Sequence, residues 1–229
     1  MPSQCRALWA LGGARAIALV GTGIFGLAGF AVPGAGSAQR SPVQHVVVIY
    51  LENHSFDNVH AARGTLPSFS VVTPGGPDFL NSCHNGMSMT ACDNWAGKLL
   101  SAVENGPDWS STAVFITFDD CGCFYDQAPP PRNADGTQQG PRAPLIIVSP
   151  YAKPGYTDTT ATTFAGILAY VEQTFGLGPL GVNDARAYPF TNAFNYSQLP
   201  LKPARMITRP LPASARRIHL TPGLAHDPT

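Results

Sequence analysis

Three runs of apolar residues without a polar alternation stand out along the chain. His45 to Leu51 (HVVVIYL), Ala113 to Phe118 (AVFITF) and Pro144 to Ser149 (PLIIVS) are each short and rich in β-branched residues. Runs of this kind predict strands covered on both faces, as in a parallel sheet. Leu66 to Val72 is a candidate fourth strand. Between the first and second runs, Asn94 to Glu104 (NWAGKLLSAVE) spaces Trp95, Leu99, Ala102 and Val103 on one helical face, with Asp93 as the N-cap; Thr163 to Phe175 predicts a second helix. Strands alternating with helices imply an α/β fold with an open, mostly parallel sheet, where ligands gather beyond the carboxyl ends of the strands. Pro129 to Gly140 predicts a flexible loop, and the Pro-rich stretch after Asn195 predicts a tail that wraps the surface or lacks order.

Composition narrows the class. The 229 residues are 44% hydrophobic, and about 190 of them follow the N-terminal leader, enough for one domain with its own core. Fourteen basic residues balance fourteen acidic ones and only 12% of positions are charged, so nucleic acid is not an expected partner. Arg6 and Arg15 precede an uncharged stretch from Ala16 to Val32 and small residues up to Ala38. That order predicts a signal peptide over 1–38 and a secreted or cell-envelope protein; an uncleaved anchor is the alternative. Cys83, Cys92, Cys121 and Cys123 follow the leader, an even number that suits disulfides in an oxidising compartment. Cys83 with Cys92 would close a short polar loop, and sequence alone allows three pairings. A zinc site is the rival reading, weakened by the one-residue spacing of Cys121 and Cys123.

Polar residues at the strand ends carry the candidate chemistry. Glu52 and Asn53 follow the first run, and Asp119 and Asp120 follow the second. Adjacent acids at a buried strand end are costly unless a cation or hydrogen-bond donors compensate them. Carboxylate and amide oxygens are the ligands that hard divalent cations take, and such cations offset charge on phosphoryl oxygens. Glu52, Asn53, Asp119 and Asp120 are therefore candidate metal ligands; the bland reading of Asp119 and Asp120 is a loop cap ahead of Gly122.

Several long motifs go further. His45 to Asp57 (HVVVIYLENHSFD), Trp109 to Asp120 (WSSTAVFITFDD), Phe124 to Asp126 ahead of Pro129 to Pro131, and Pro144 to Gly155 (PLIIVSPYAKPG) resemble, in the same order, the signatures of the bacterial phosphoesterase family that includes phosphatidylcholine-type phospholipases C and acid phosphatases. The resemblance extends over residues 44–198, leaving 199–229 as a Pro-rich tail. It implies an alkaline-phosphatase-like α/β fold and a metal-dependent phosphoric ester hydrolase acting on a small phosphate ester or a phospholipid, with the membrane surface as a candidate contact. Nothing in the sequence sets an oligomeric state.

By motif, Asp119 and Asp120 would bind the metal, and Glu52 and Asn53 would be ligands or stand directly behind them. His84, within Ser82 to Asn85 (SCHN), matches a family histidine near the phosphate, where it would donate to a phosphoryl oxygen or protonate the leaving group. Its bland reading is a loop histidine bonded to backbone. Asp126 falls in a Phe-Tyr-Asp-His pattern whose last position is Gln127 here. Family members carry a long segment with the nucleophilic Ser or Thr and much of a substrate-covering cap where this chain runs almost directly from Val59 to Gly64. The resemblance thus implies a shortened, capless fold with no matching nucleophile. Ser55, Thr65 and Ser68 are the hydroxyls nearest the gap, and none sits on a recognisable strand-to-helix elbow. The alternative function is a catalytically inactive metal- or ligand-binding remnant.

Overall fold

The computed structural model describes residues 41–51, 63–74, 80–122 and 124–213. Four strands form one sheet in the order β2-β1-β3-β4: β1 (His45–Tyr50), β2 (Phe69–Val72), β3 (Thr112–Thr117) and β4 (Leu145–Val148). β1 runs parallel to β2, with Val46 opposite Phe69, and parallel to β3, with His45 opposite Thr112. β4 is antiparallel to β3, pairing Thr117 with Leu145. Three helices lie among the described residues: α1 (Met89–Glu104), α2 (Ala165–Phe175) and α3 (Val182–Arg186).

The unbroken apolar run of β1 follows from its place inside two layers. Val46 and Val48 pack with Phe115, Tyr170, Phe190 and Phe194 on the α2 side, while Val47 and Ile49 pack with Leu99, Leu100, Val103 and Val114 on the α1 side. Alternate residues of one strand thus fill two different cores. On the α2 side the Phe115 ring meets Tyr170 edge-on at 5.0 Å, and Tyr170 stacks on Phe194 at 5.0 Å, the offset and T-shaped arrangements that aromatic quadrupoles favour.

Three expectations change. α1 begins at Met89, well ahead of Asn94, because the Ser88 hydroxyl accepts the Ala91 N–H at 3.3 Å and caps the helix. Asp93 consequently lies within the helix, where it pairs with Arg209. The third apolar run is an antiparallel edge strand with Ile146 exposed, since the described residues between 118 and 144 hold no crossover helix and the chain turns back along β3. Pro129 to Gly140 is laced by an Arg132–Gln138 bridge, and its Asp135 bonds to Asn183 of α3.

The stretch after Asn195 wraps the surface as far as residue 213. Leu201 donates to the Pro150 carbonyl at 2.9 Å and accepts from the Trp109 indole at 3.3 Å. Further on, Asn94 and Arg209 exchange two bonds of 2.7 and 2.8 Å against α1. The predicted leader lies outside the described residues.

Candidate functional site

β1 and β3 are parallel neighbours, so their carboxyl ends open on the same edge of the sheet. At that edge the Leu51 N–H donates to the Thr117 carbonyl at 3.0 Å, which carries the pairing one residue past the strands. The Leu51 carbonyl then accepts the Cys83 N–H at 2.9 Å and the Ser82 hydroxyl at 3.3 Å. Ser82 is fully buried and its oxygen also accepts the His84 N–H at 3.0 Å. The Cys83–Cys92 disulfide, the pairing that closes the short polar loop, anchors the same segment to the first turn of α1. Finally, the Asn85 side-chain amide donates to the Gly122 carbonyl at 2.9 Å.

These bonds bring His84 and the Asp119-Asp120 turn to one edge, directly beside the point where the chain leaves β1. Glu52 and Asn53, the other two candidate ligands, lie outside the described residues, as do His54, Ser55 and Phe56. Leu51, the residue before them, is the last described position of that strand end.

Asp119 and Asp120 are both exposed. Asp119 Oδ1 accepts the Asp120 N–H at 3.1 Å, and Asp120 Oδ1 accepts the Gly122 N–H at 2.5 Å. Gly122 adopts φ +55°, the left-handed region that disfavours side chains, and this turns its N–H back onto the acid. The loop-cap reading of the acids is therefore correct for one oxygen of each. Among the described residues no hydrogen bond reaches either Oδ2. That donor set, two hard carboxylate oxygens on consecutive residues, suits a divalent cation in part, since such a cation takes about six or more oxygen ligands. Among the described residues no group of three or more His, Cys, Asp or Glu side chains is placed to hold a metal ion. The charge of Asp119 is felt nearby: burial first, and then this carboxylate, hold the Tyr50 hydroxyl above its ordinary value.

His84 Nδ1 lies 2.9 Å from the Asn85 carbonyl. A carbonyl only accepts, so Nδ1 carries the hydrogen and Nε2 is the nitrogen that takes up a proton. The backbone-bonded loop histidine and the proton-transfer histidine are thus compatible, because the backbone bond sets the tautomer.

Two of the hydroxyls that border the edge, Ser82 and Thr117, are not presented as nucleophiles. Ser82 is buried in the bonds above, and buried Thr117 donates to the Pro144 carbonyl at 2.8 Å. Thr65 and Ser68 precede β2, so they stand at the amino-end edge of the parallel strands, roughly 13 Å of extended chain from the carboxyl-end edge.

One feature was not foreseen from the sequence. Arg142 clasps Asp126 through Nε at 2.7 Å and Nη2 at 2.7 Å, and the Asp126 oxygens also accept the Arg142 N–H at 3.2 Å and the Ala128 N–H at 3.1 Å. The guanidinium and these backbone donors hold the Asp126 carboxyl well below the usual carboxylate range. The only hint in the sequence was a lone arginine just ahead of the third apolar run.

Residues 59–178 match the family model described as the Phosphoesterase family. Among curated proteins, the chain is 27% identical to non-specific phospholipase C6 of Arabidopsis thaliana, with 61% of this chain and 32% of that protein covered. It is 26% identical to the non-hemolytic phospholipase C of Pseudomonas aeruginosa, covering 43% of this chain and 19% of that protein. A similar match, 26% identical over 44% of this chain and 19% of the relative, is the non-hemolytic phospholipase C of Burkholderia pseudomallei. The chain therefore spans between about a fifth and a third of the length of these relatives.

Proposed function

The chain belongs to the phosphoesterase family, a family of phosphoric ester hydrolases, and from that premise we propose that it is an exported, metal-dependent hydrolase of phosphomonoesters or of phospholipid headgroup esters. The observation that carries the proposal is the convergence of the His84 loop and the Asp119-Asp120 turn at the carboxyl edge of β1 and β3, tied by Asn85 to Gly122. Ligands in open α/β sheets gather at this edge.

In this reading Asp119 and Asp120 hold a divalent cation with Glu52 and Asn53. When bound, the cation offsets the negative charge of the phosphoryl oxygens. The Gly122 and Asp120 N–H groups fix the orientation of the two carboxylates, which lowers the reorganisation required on binding. His84, with Nδ1 committed to the Asn85 carbonyl, takes up a proton at Nε2 and delivers it to the departing alcohol oxygen. The disulfide supports the reading of an exported chain, since oxidising compartments preserve such bonds.

A second reading, a ligand-binding family member without turnover, draws on one observation. Ser82 and Thr117, two of the hydroxyls at the edge, are both buried and bonded to backbone. The two readings separate in an assay of 4-nitrophenyl phosphate hydrolysis beside headgroup release from phosphatidylcholine vesicles, each with and without added divalent metal. Metal-dependent release in either arm supports the hydrolase and identifies its substrate class; folded protein inert in both arms supports the binding protein.

A further inference from the structure

An open hollow of about 410 Å³ adjoins the candidate site, bordered by Cys121, Phe124, Tyr125, Asp126 and Arg142. Three observations distinguish it from an ordinary surface depression. Phe124 and Tyr125 leave 74% and 91% of their surface exposed, consecutive aromatics that the core does not use. Beside them the Arg142 guanidinium is held by both Asp126 oxygens while its side chain remains 66% exposed. The hollow also touches the site itself: Cys121 follows Asp120, and the Phe124 ring lies so close over Gly122 that an added Cβ there would stand 3.1 Å from it. Gly122 is the residue whose N–H engages Asp120 and whose carbonyl accepts Asn85.

Counting donors and acceptors defines what the hollow offers. Each Asp126 oxygen already accepts two hydrogen bonds, so the carboxylate has little acceptor capacity left. The guanidinium has five N–H groups and spends two on Asp126; the three on Nη1 and Nη2 that remain meet no acceptor among the described residues. The pair is close to neutral overall, yet it presents donors only, in a fixed plane, next to two aromatic rings. Such a surface selects an apolar or aromatic body that carries an oxygen acceptor.

We propose that this hollow is the leaving-group subsite of the phosphoester site: Phe124 and Tyr125 pack against the alcohol portion of the ester, and Arg142, positioned by Asp126, donates to an oxygen on that portion. The inference rests on the phosphoester reading of Asp119 and Asp120 and adds the substrate class, esters whose alcohol is apolar or aromatic and bears an oxygen acceptor. Burying one aromatic face against the rings is expected to strengthen binding about tenfold.

Calorimetric titration of phenylphosphonate and methylphosphonate into the protein with Mn2+ present tests the subsite without requiring turnover. Phenylphosphonate should bind about tenfold more tightly, and the double variant Phe124→Ala, Tyr125→Ala should erase that preference while leaving methylphosphonate affinity unchanged. Equal affinities in the parent protein, or a preference that survives the double variant, overturn the subsite. If neither phosphonate binds, the phosphoryl-site reading is what fails, and saturation-transfer NMR with 4-nitrophenol then decides the hollow alone. Ring contacts that disappear in the double variant support it; no contact in the parent protein overturns it.

Discussion

The side-chain amide of Asn85 bonds to the Gly122 carbonyl at 2.9 Å, and this one contact joins the disulfide-anchored loop carrying His84 to the turn carrying Asp119 and Asp120. The two segments are 37 residues apart in sequence, so their relative position depends on tertiary bonds.

Asn85→Ala tests that dependence. The contact is exposed, and its loss should leave the thermal transition nearly unchanged. Phosphoester turnover, in contrast, should fall roughly tenfold because a small displacement of His84 relative to the acids is costly to catalysis. Equal turnover in the variant and the parent protein shows that the loop is positioned without Asn85.

The Cys83–Cys92 disulfide closes a loop with a sequence separation of 9. In the chain-entropy account, opening so short a loop costs about 2–3 kcal/mol. Chemical denaturation of the double variant Cys83→Ser, Cys92→Ser measures this. A loss near zero assigns the bond a local role at the site instead of a global one.

Asp126 predicts an acid-side effect. Its carboxyl is held below the ordinary value of 3.8, chiefly by the Arg142 side chain and the Ala128 N–H. A depressed carboxylate contributes stability that is fully present above the unfolded-state value and is lost as pH falls toward the folded-state value. The gap in Tm between the parent protein and Asp126→Asn should therefore stay constant from pH 7 to about 5 and shrink below about 4. A gap that is independent of pH throughout removes the ionised Arg142–Asp126 pair as its cause.

Glu172 on α2 carries the opposite sign. Both it and Asp184 of α3 are buried, and Asp184 already accepts the Leu180 N–H at 2.5 Å and the Gly181 N–H at 2.8 Å. Burial, and next the Asp184 carboxyl, push Glu172 above its ordinary 4.5. A raised acid favours folding while protonated and loses that contribution as pH rises through the folded-state value. Glu172→Gln copies the protonated form, so its Tm advantage over the parent protein should grow as pH rises above about 4.5. Melting curves across that range that run parallel for the two proteins contradict the raised Glu172 carboxyl.

Much of the fold was legible because burial on two faces leaves a strong mark on sequence. Val46 to Ile49 must fill two cores alternately, and no polar residue fits either. The start of α1 was hidden because its first turn is held by a serine cap and a disulfide, which leave little apolar periodicity before Trp95. The reversal at β4 was invisible to pattern, since apolar runs do not state direction; the absence of a crossover helix among the described residues between 118 and 144 goes with it. At the site, Asp119 and Asp120 were readable as acids at a strand end, while the Arg142–Asp126 clasp spans 16 residues with no local signature.

The most direct measurement is the initial rate of 4-nitrophenyl phosphate hydrolysis by the protein and by the double variant Asp119→Asn, Asp120→Asn, each titrated with divalent metal after removal of bound metal by chelation. The rate should return with metal in the parent protein and be lower by roughly a hundredfold or more in the variant, as expected when groups that hold the charge-offsetting cation are removed. A folded parent protein with no metal-dependent rate, or a variant that matches it, would rule out Asp119 and Asp120 as holders of a catalytic cation.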